Sequence, residues 1–275
     1  MAEREPANPV STTAYWTLAA RYADATGAEP VANDTFAERF MDDTARAAAE
    51  RFSPLRRAFA SFPVRHRIVD DLLRAELERD PTMRVVLLGC GFDTRAFRLG
   101  GGRWLEVDEP ELIAAKEARL PADEAPNELV RVGIRFRHES LEATLTPYAS
   151  TEGVAIVLEG SLGYLPDNER RALLDALGRL FPRHIVLCDL LTRTFLARYA
   201  RDLVRFLREM DAEFSASSDY PEALFHGLGY RTLARISIPE RSAELGADGA
   251  PPAWLFRLLP GFRTGYCVWE LQRGK

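Results

Sequence analysis

The stretch VVLLGCGFDTR, residues 85–95, decides the fold of this chain. Residues 84–88 are dense in valine and leucine, and such short runs are typical of parallel strands that are buried on both faces. Gly89-Cys90-Gly91 follows at once, and a helix can begin just beyond it. A glycine has no Cβ, so its backbone can adopt a positive φ and approach a ligand closely. The order strand, glycine turn, helix predicts a cofactor-binding turn at the end of a buried strand.

The turn differs from the glycine-rich fingerprint of dinucleotide-binding proteins. That fingerprint has a third glycine three residues after the second, where this chain has Thr94, so a pyrophosphate would lose its closest approach to the helix N-terminus. The chain also lacks a Tyr-x-x-x-Lys pair. The turn therefore favours a nucleoside cofactor without a pyrophosphate over NAD(P). Within it, Asp93 is expected to cap the helix and to lie at the cofactor, while Cys90 contributes its small size and its backbone amide.

A second short strand is predicted at residues 103–107, and two acids stand at its end. Side chains alternate along a strand, so Glu106 and Asp108 point to one face and Val107 to the other. A carboxylate there can accept hydrogen bonds from the two hydroxyls of a ribose, and such charge-assisted bonds are roughly twice as strong as neutral ones. Either acid can fill this role, and a solvated strand end is the alternative.

The rest of the chain alternates between apolar runs and helical stretches. Further strands are predicted at residues 132–138, 154–158, 185–189, 232–238 and 266–271. A crossover helix is predicted at residues 169–180, and a long charged helix from residue 194 to about 214. Short buried strands alternating with helices predict an α/β fold with an open, doubly wound sheet.

The first part of the chain is helical in pattern and has no convincing strand. Asp80-Pro81 ends its last helix, because proline disfavours helix in the residue before it. We therefore predict an N-terminal helical cap at residues 1–80, followed by a cofactor-binding domain at residues 81–275 that forms one compact unit.

Composition excludes several classes of protein. The net charge of -5, without a basic tract, argues against a nucleic-acid partner. The three cysteines, Cys90, Cys188 and Cys267, are far apart, and the four histidines have no metal-ligand spacing, so neither a disulfide framework nor a metal site is expected. With no signal-peptide pattern and no membrane-length apolar run, we expect a cytoplasmic location and no membrane partner.

Three stretches carry a family resemblance: LGCGFDTRAFRL at residues 88–99, EVDEP at residues 106–110 with Lys116 and Leu120, and LEGSLGYL at residues 158–165. They resemble the leucine carboxyl methyltransferase family, which includes the methyltransferase acting on a protein phosphatase C-terminus and bacterial polyketide O-methyltransferases. Residues 13–21, 33–40 and 65–73 also look like the family's N-terminal helical segments. The resemblance thus extends over most of the chain.

The resemblance implies a class I methyltransferase fold, a Rossmann-like, seven-stranded and mostly parallel sheet with S-adenosyl-L-methionine across the strand ends. By position, Gly89 and Gly91 would line the methionine part of this cofactor and Asp108 would bind its ribose. Arg65 matches the arginine that pairs with the cofactor's carboxylate; without the resemblance, a surface ion pair would be the better interpretation. Glu159 would face the cofactor's amino-acid end or the transferring methyl group.

The chain departs from the family pattern after the third predicted strand. The family has an aspartate there for the adenine amine, whereas this chain has RHESL at residues 137–141. Glu139 is expected to make the adenine contact, and a shift of one residue would give it to His138.

The expected activity is S-adenosylmethionine-dependent O-methylation of a small metabolite or a peptide terminus, in secondary metabolism. A carboxylate acceptor is already ionised at neutral pH, whereas a phenol would benefit from a general base, and the sequence identifies no such base. A carboxylate acceptor is therefore favoured over a hydroxyl. Two alternatives remain: an NAD(P)-dependent oxidoreductase of Rossmann type, and a catalytically silent protein that kept the cofactor fold.

Overall fold

The computed structural model describes residues 9–52, 55–136, 138–209, 214–215 and 218–274, with the side chains of residues 9–12, 56 and 57 excepted. Within these residues one sheet has seven strands: β1 Arg84–Leu88, β2 Arg103–Asp108, β3 Glu128–Gly133, β4 Val154–Leu158, β5 His184–Leu191, β6 Tyr230–Ser237 and β7 Tyr266–Arg273. Their spatial order is β3-β2-β1-β4-β5-β7-β6.

All strands of this sheet run in the same direction except β7. The pairs among β1 to β5 are parallel, and β7 runs antiparallel to both of its neighbours. The chain leaves β1 towards β2 on one side and later returns to β4 on the other, so the carboxyl ends of β1 and β4 form the crevice where such sheets bind ligands. The predicted seven-stranded, mostly parallel α/β fold is confirmed.

Helices cover both faces of the sheet: α1 Pro9–Ala25, α2 Asp43–Phe52, α3 Arg56–Arg79, α4 Arg95–Arg98, α5 Pro110–Glu117, α6 Leu141–Leu145, α7 Asp167–Leu180, α8 Arg193–Tyr199, α9 Arg201–Arg208, α10 Ala223–Gly227, α11 Ile238–Glu244, α12 Leu255–Leu258 and α13 Pro260–Thr264. Alternation along β1 divides the core. Val85 and Leu87 join the cluster that contains Ile68 of α3, and Val86 and Leu88 join the cluster that contains Leu174 of α7. Both faces of the central strand are thus covered, as its apolar run predicts.

The N-terminal helices share the core of the sheet. Leu18 of α1 and Val64 of α3 belong to the same hydrophobic cluster as Val85 of β1. A separate small cluster has Trp16, Phe52 and Leu207 at its centre and lies between α1, α2 and α9. The division into a cap at residues 1–80 and a domain at residues 81–275 stays a prediction, and this core extends across its boundary.

Two predicted elements differ from the structure. The sequence predicts the third strand at residues 132–138, but the strand ends at Gly133, because the next backbone N–H, of Ile134, donates to the Asp108 carbonyl as the chain turns away. The helix predicted from residue 194 to about 214 is two helices, α8 and α9, joined at Ala200, and residues 210–213 lie outside the described part. Among the described residues, no helix combines the length and apolarity that a membrane span needs.

Candidate functional site

The glycine turn lies at the end of β1, beside the crevice. Gly89 and Gly91 have φ values of +69° and +49°, in the left-handed region that other residues rarely adopt. A Cβ on Gly91 would lie 3.2 Å from the Cβ of Ala14 on α1. Both glycines and Ala14 line a cavity of about 1710 Å³, so the N-terminal helix covers the turn.

The structure separates the two acids at the end of β2. Glu106 is fully buried, and its Oε2 lies 2.8 Å from Lys116 Nζ and 2.8 Å from Arg131 Nε. Glu106 is therefore a structural ion-pair partner away from the cavity. Asp108 lines the cavity instead.

Backbone amides hold the Asp108 carboxylate in place. Its Oδ2 accepts a hydrogen bond from Gly91 N–H at 2.6 Å, and its Oδ1 accepts one from Glu109 N–H at 2.7 Å. Burial raises the pKa of Asp108, while the two amide hydrogen bonds oppose that rise. Each oxygen keeps a free lone pair, so the carboxylate can bind two hydroxyl groups.

Arg65 makes hydrogen bonds to residues at or near the ends of three strands, β4, β5 and β7. Its Nε donates to Glu159 Oε1 at 3.1 Å, and its Nη1 donates to Asp189 Oδ2 at 3.2 Å and to the Tyr266 hydroxyl at 3.0 Å. A Cβ on Gly160, where φ is +70°, would lie 3.0 Å from Arg65 Nη2. Arg65 is 5% exposed, so it is a buried residue of the site and the surface ion-pair interpretation is wrong.

A second, fully buried arginine, Arg95, also binds Glu159. Arg95 donates to Asp70 Oδ1 at 2.6 Å, to Asp93 Oδ2 at 2.5 Å and to Glu159 Oε2 at 2.7 Å. Burial opposes the charge on Glu159, but Arg95, His66 and Arg65 outweigh it and hold its pKa well below the ordinary value. Glu159 is therefore an ionised carboxylate at the cavity wall.

His66 lies between two arginines and Glu159. Its Nε2 is 2.7 Å from Arg98 Nη2 and its Nδ1 is 2.7 Å from Arg95 Nη2, and both guanidinium groups can only donate. Nδ1 also lies 3.3 Å from Glu159 Oε2, an acceptor, so we assign the proton of the neutral ring to Nδ1. Burial and the charge of Arg95 lower the pKa of His66, so the ring is neutral at neutral pH.

In the described part of the chain, one set of three side chains is close enough together to hold a metal ion. Ligand atoms of His66, Asp93 and Glu159 lie within 4.8 Å of one another. The Arg95 guanidinium contacts all three, at 2.5 to 2.7 Å. The positive charge that these ligands require is therefore supplied by Arg95.

The cavity has two differently lined ends. The glycine turn, Asp108 and the Arg65–Glu159 pair form its polar part, and a larger set of lining residues, which we call the apolar end, is mostly apolar and aromatic. The apolar end is lined by Trp16, Leu55, Ala58, Phe62, Tyr164, Leu191, Phe195, Tyr199, Leu203, Phe214, Leu255, Phe262 and Tyr266. An end of this kind suits an apolar ligand.

The expected adenine contact is not at the cavity. Glu139 is exposed, its carboxylate accepts the N–H of Arg135 at 3.2 Å, and neither it nor His138 is among the lining residues. The loop follows a strand that ends earlier than predicted, which moves these two side chains outward. Phe136 and Ser140 line the cavity in their place.

The other predicted residues lie together at this site. Arg65, Gly89, Cys90, Gly91, Asp93, Asp108 and Glu159 all line the cavity. Cys90 is buried, and burial raises the pKa of its thiol well above the ordinary value, which makes it unreactive.

Sequence reasoning missed Asp189, Arg95 and Trp16. Asp189 lies inside β5, directly after the apolar residues 185–188, and Glu159 directly follows β4, so a carboxylate after an apolar run was an available signal for both. Apart from Asp93, the partners of Arg95 come from α3 and from the loop after β4, and no local pattern reports such contacts.

Comparison with known proteins identifies relatives at the level of sequence. The family model described as leucine carboxyl methyltransferase matches residues 14–178. A putative S-adenosyl-L-methionine-dependent methyltransferase of Streptomyces coelicolor is 34% identical over 192 residues, which are 62% of this chain and 62% of the relative. An S-adenosyl-L-methionine-dependent methyltransferase of Gibberella zeae is 28% identical over 90% of this chain and 89% of its own length. The chain thus spans less than two thirds of the Streptomyces relative.

Solved structures show the same fold. A putative methyltransferase from Thermobifida fusca superposes with a TM-score of 0.60 at 15% identity, over 93% of this chain and 94% of that one. A duf574 family protein from Streptomyces avermitilis gives a TM-score of 0.58 at 13% identity, over 87% and 95% of the two chains. At these identities the likeness concerns the fold alone.

Proposed function

The chain belongs to the leucine carboxyl methyltransferase family, and we propose that it is an S-adenosylmethionine-dependent O-methyltransferase that esterifies the carboxylate of a small apolar molecule. One observation carries the proposal. The glycine turn, Asp108 and the Arg65–Glu159 pair line one continuous cavity at the crevice of the sheet, and its far end is apolar.

The residues present fit this cofactor. Ser161 Oγ is buried and has no hydrogen-bond partner among the described residues, and Ser161 lines the cavity beside Gly89. Buried hydroxyls are nearly always paired, so a polar ligand at the turn would satisfy it. Asp108 offers the lone pairs for a ribose, and no third glycine makes room for a pyrophosphate. The Thr94 hydroxyl donates instead to the buried Asp34 at 2.7 Å.

The charged groups match an amino acid. Arg65 would pair with the cofactor's carboxylate, since a guanidinium fork suits that group, and Glu159 would receive its ammonium. The adenine would lie near Phe136 and Ser140 rather than at Glu139. When bound, S-adenosylmethionine supplies a methyl group on a sulfonium, which an oxygen lone pair can displace.

The chain's own residues contribute alignment and exclusion of water. No histidine lines the apolar end among the described residues, since the one lining histidine, His66, is held in the Arg95 network. Burial raises the pKa of Tyr266, and Asp189 is engaged by Arg65 and by the Gly160 N–H at 2.6 Å. An acceptor that is ionised without help, a carboxylate, fits such a wall better than a phenol.

The three cysteines are free and buried, which supports a reducing, cytoplasmic setting as part of the proposal.

A methyl-transfer screen tests the proposal. The protein is incubated with S-adenosylmethionine labelled in its methyl group and with panels of aromatic carboxylates, phenols and short peptides. We expect base-labile label on carboxylates, because esters hydrolyse in base and aryl ethers do not. Base-stable label on phenols would refute the carboxylate acceptor, and cofactor binding without any transfer would favour a silent binding protein.

A further inference from the structure

Trp16 lies at the centre of a small aromatic cluster above the apolar end of the cavity. Its ring stacks on Phe52 with centroids 4.8 Å apart, and Phe206 lies 5.2 Å away at a tilt. Helices α1, α2 and α9 contribute these three rings. Trp16 is 2% exposed and lines the cavity.

The indole N–H of Trp16 has no hydrogen-bond partner in the described part of the chain. An indole nitrogen can only donate, and a buried indole N–H usually finds an acceptor. The hydroxyl of Tyr164, the phenol of this cluster, bonds with Thr13. The ring contacts of Trp16 are with Phe52 and Phe206, which offer no acceptor, and Trp16 lines the cavity, so a ligand bound there can supply one.

We infer that Trp16 Nε1 is a binding group for the methyl acceptor, donating a hydrogen bond to an oxygen of an aromatic carboxylate whose body packs against the aromatic cluster. The inference rests on the proposed function, which it deepens by naming the substrate class and a residue that recognises it.

Two features favour a carboxylate with an aromatic body. A hydrogen bond to an ionised oxygen is roughly twice as strong as one to a neutral oxygen. The rings of Phe62 and Phe214 line the same end of the cavity and offer faces and edges to an aromatic body. A purely apolar ligand would leave the indole N–H unpaired.

The test follows the indole resonances of nitrogen-15-labelled protein saturated with S-adenosylhomocysteine. The chain has four tryptophans, and Trp16→Phe assigns the resonance of interest. We titrate 2-naphthoate and, as the matched probe without oxygens, naphthalene. The Trp16 resonance is expected to move downfield saturably with 2-naphthoate only.

Affinity gives the second readout. Trp16→Phe keeps an aromatic ring but removes the donor, and it is expected to weaken 2-naphthoate binding by about 10- to 100-fold. Trp104→Phe is the control: it is equally buried, but its indole donates to the Gly101 carbonyl at 2.9 Å away from the cavity. It should leave 2-naphthoate affinity unchanged.

Three results would overturn the inference: a Trp16 resonance that stays in place at millimolar 2-naphthoate, as for an indole that holds only water; equal shifts with naphthalene; or unchanged affinity in Trp16→Phe. A misfolded Trp16→Phe does not spoil the test, because Trp104→Phe, Trp254→Phe and Trp269→Phe assign the wild-type Trp16 resonance by elimination. Calorimetry with S-adenosylmethionine on the same samples separates the two proposals, since a protein that binds the cofactor but shows no Trp16 shift refutes only this inference.

Discussion

Replacing Arg95 by methionine should destabilise the protein in a way that depends on pH. The guanidinium is fully buried and bonds to three carboxylates. Methionine matches its length but brings no charge. Asp70 keeps Arg98 as a partner at 2.7 Å, and Glu159 keeps Arg65 at 3.1 Å. Asp93 alone loses its only ion-pair partner among the described residues, which leaves one uncompensated buried charge.

The expected loss of stability follows from this one uncompensated buried charge. Breaking a buried ion pair by removing one partner costs about 3–5 kcal/mol, so we expect Arg95→Met to lower the free energy of unfolding by about that amount at pH 8. Arg98→Met is the matched control, because Asp34 keeps Arg21 and Asp70 keeps Arg95 when Arg98 is lost. Its cost should be clearly smaller.

The pH dependence identifies the cause. In the wild type, burial and Arg95 lower the pKa of His66, so this residue contributes stability that is lost as the pH falls below the unfolded value of about 6.5. Without Arg95, one cause of the lowered pKa of His66 is gone while Asp70 and Glu159 still raise it, so the variant loses less stability than the wild type as the pH falls. The deficit of Arg95→Met should therefore narrow between about pH 8 and pH 6.

Urea unfolding of both variants and the wild type at the two pH values measures these differences. A deficit of Arg95→Met that stays the same at both pH values, or that is no larger than that of Arg98→Met, would refute the assigned network.

Three further predictions concern single positions. Asp108→Asn should weaken S-adenosylmethionine binding, measured by calorimetry, about 10- to 100-fold, because charge-assisted hydrogen bonds are lost. Glu106→Gln should lower the stability of the protein but leave its affinity for S-adenosylmethionine unchanged. Equal losses of affinity in the two variants would contradict the separate roles of the two acids. Gly91→Ala should cost about 1–2 kcal/mol in urea unfolding because of its positive φ, and an unchanged midpoint would count against the left-handed conformation of the turn at φ +49°. Burial lowers the pKa of His184 to about 4, so wild-type stability should fall by about 3 kcal/mol between about pH 6.5 and 4 relative to His184→Gln; parallel stability curves would refute this.

Much of the fold follows from local patterns. The apolar runs of β1 and β4 place those strands to the residue, because central parallel strands are buried on both faces and admit few polar residues. Strand β3 lies at the edge and carries Glu128 and Arg131 among its apolar residues, so its pattern is weaker and predicts the wrong bounds. Helix α8 ends just before Ala200, and alanine does not disfavour helix, so the sequence does not show that the predicted long helix is divided there.

The site follows from sequence only in part. The glycine turn and Asp108 are local features with a mechanism. The setting of Glu159 depends on Arg65, Arg95 and His66, which come from two other segments, so only the packed chain shows it. The role of Trp16 also requires the tertiary structure, because an orphaned donor is defined by what surrounds it.

Isothermal titration calorimetry with S-adenosylmethionine, alongside NADH, tests the central claim most directly. The account predicts saturable binding of S-adenosylmethionine at one site per chain and no heat from NADH. Binding of NADH instead, or no binding of S-adenosylmethionine at millimolar concentration, would contradict it.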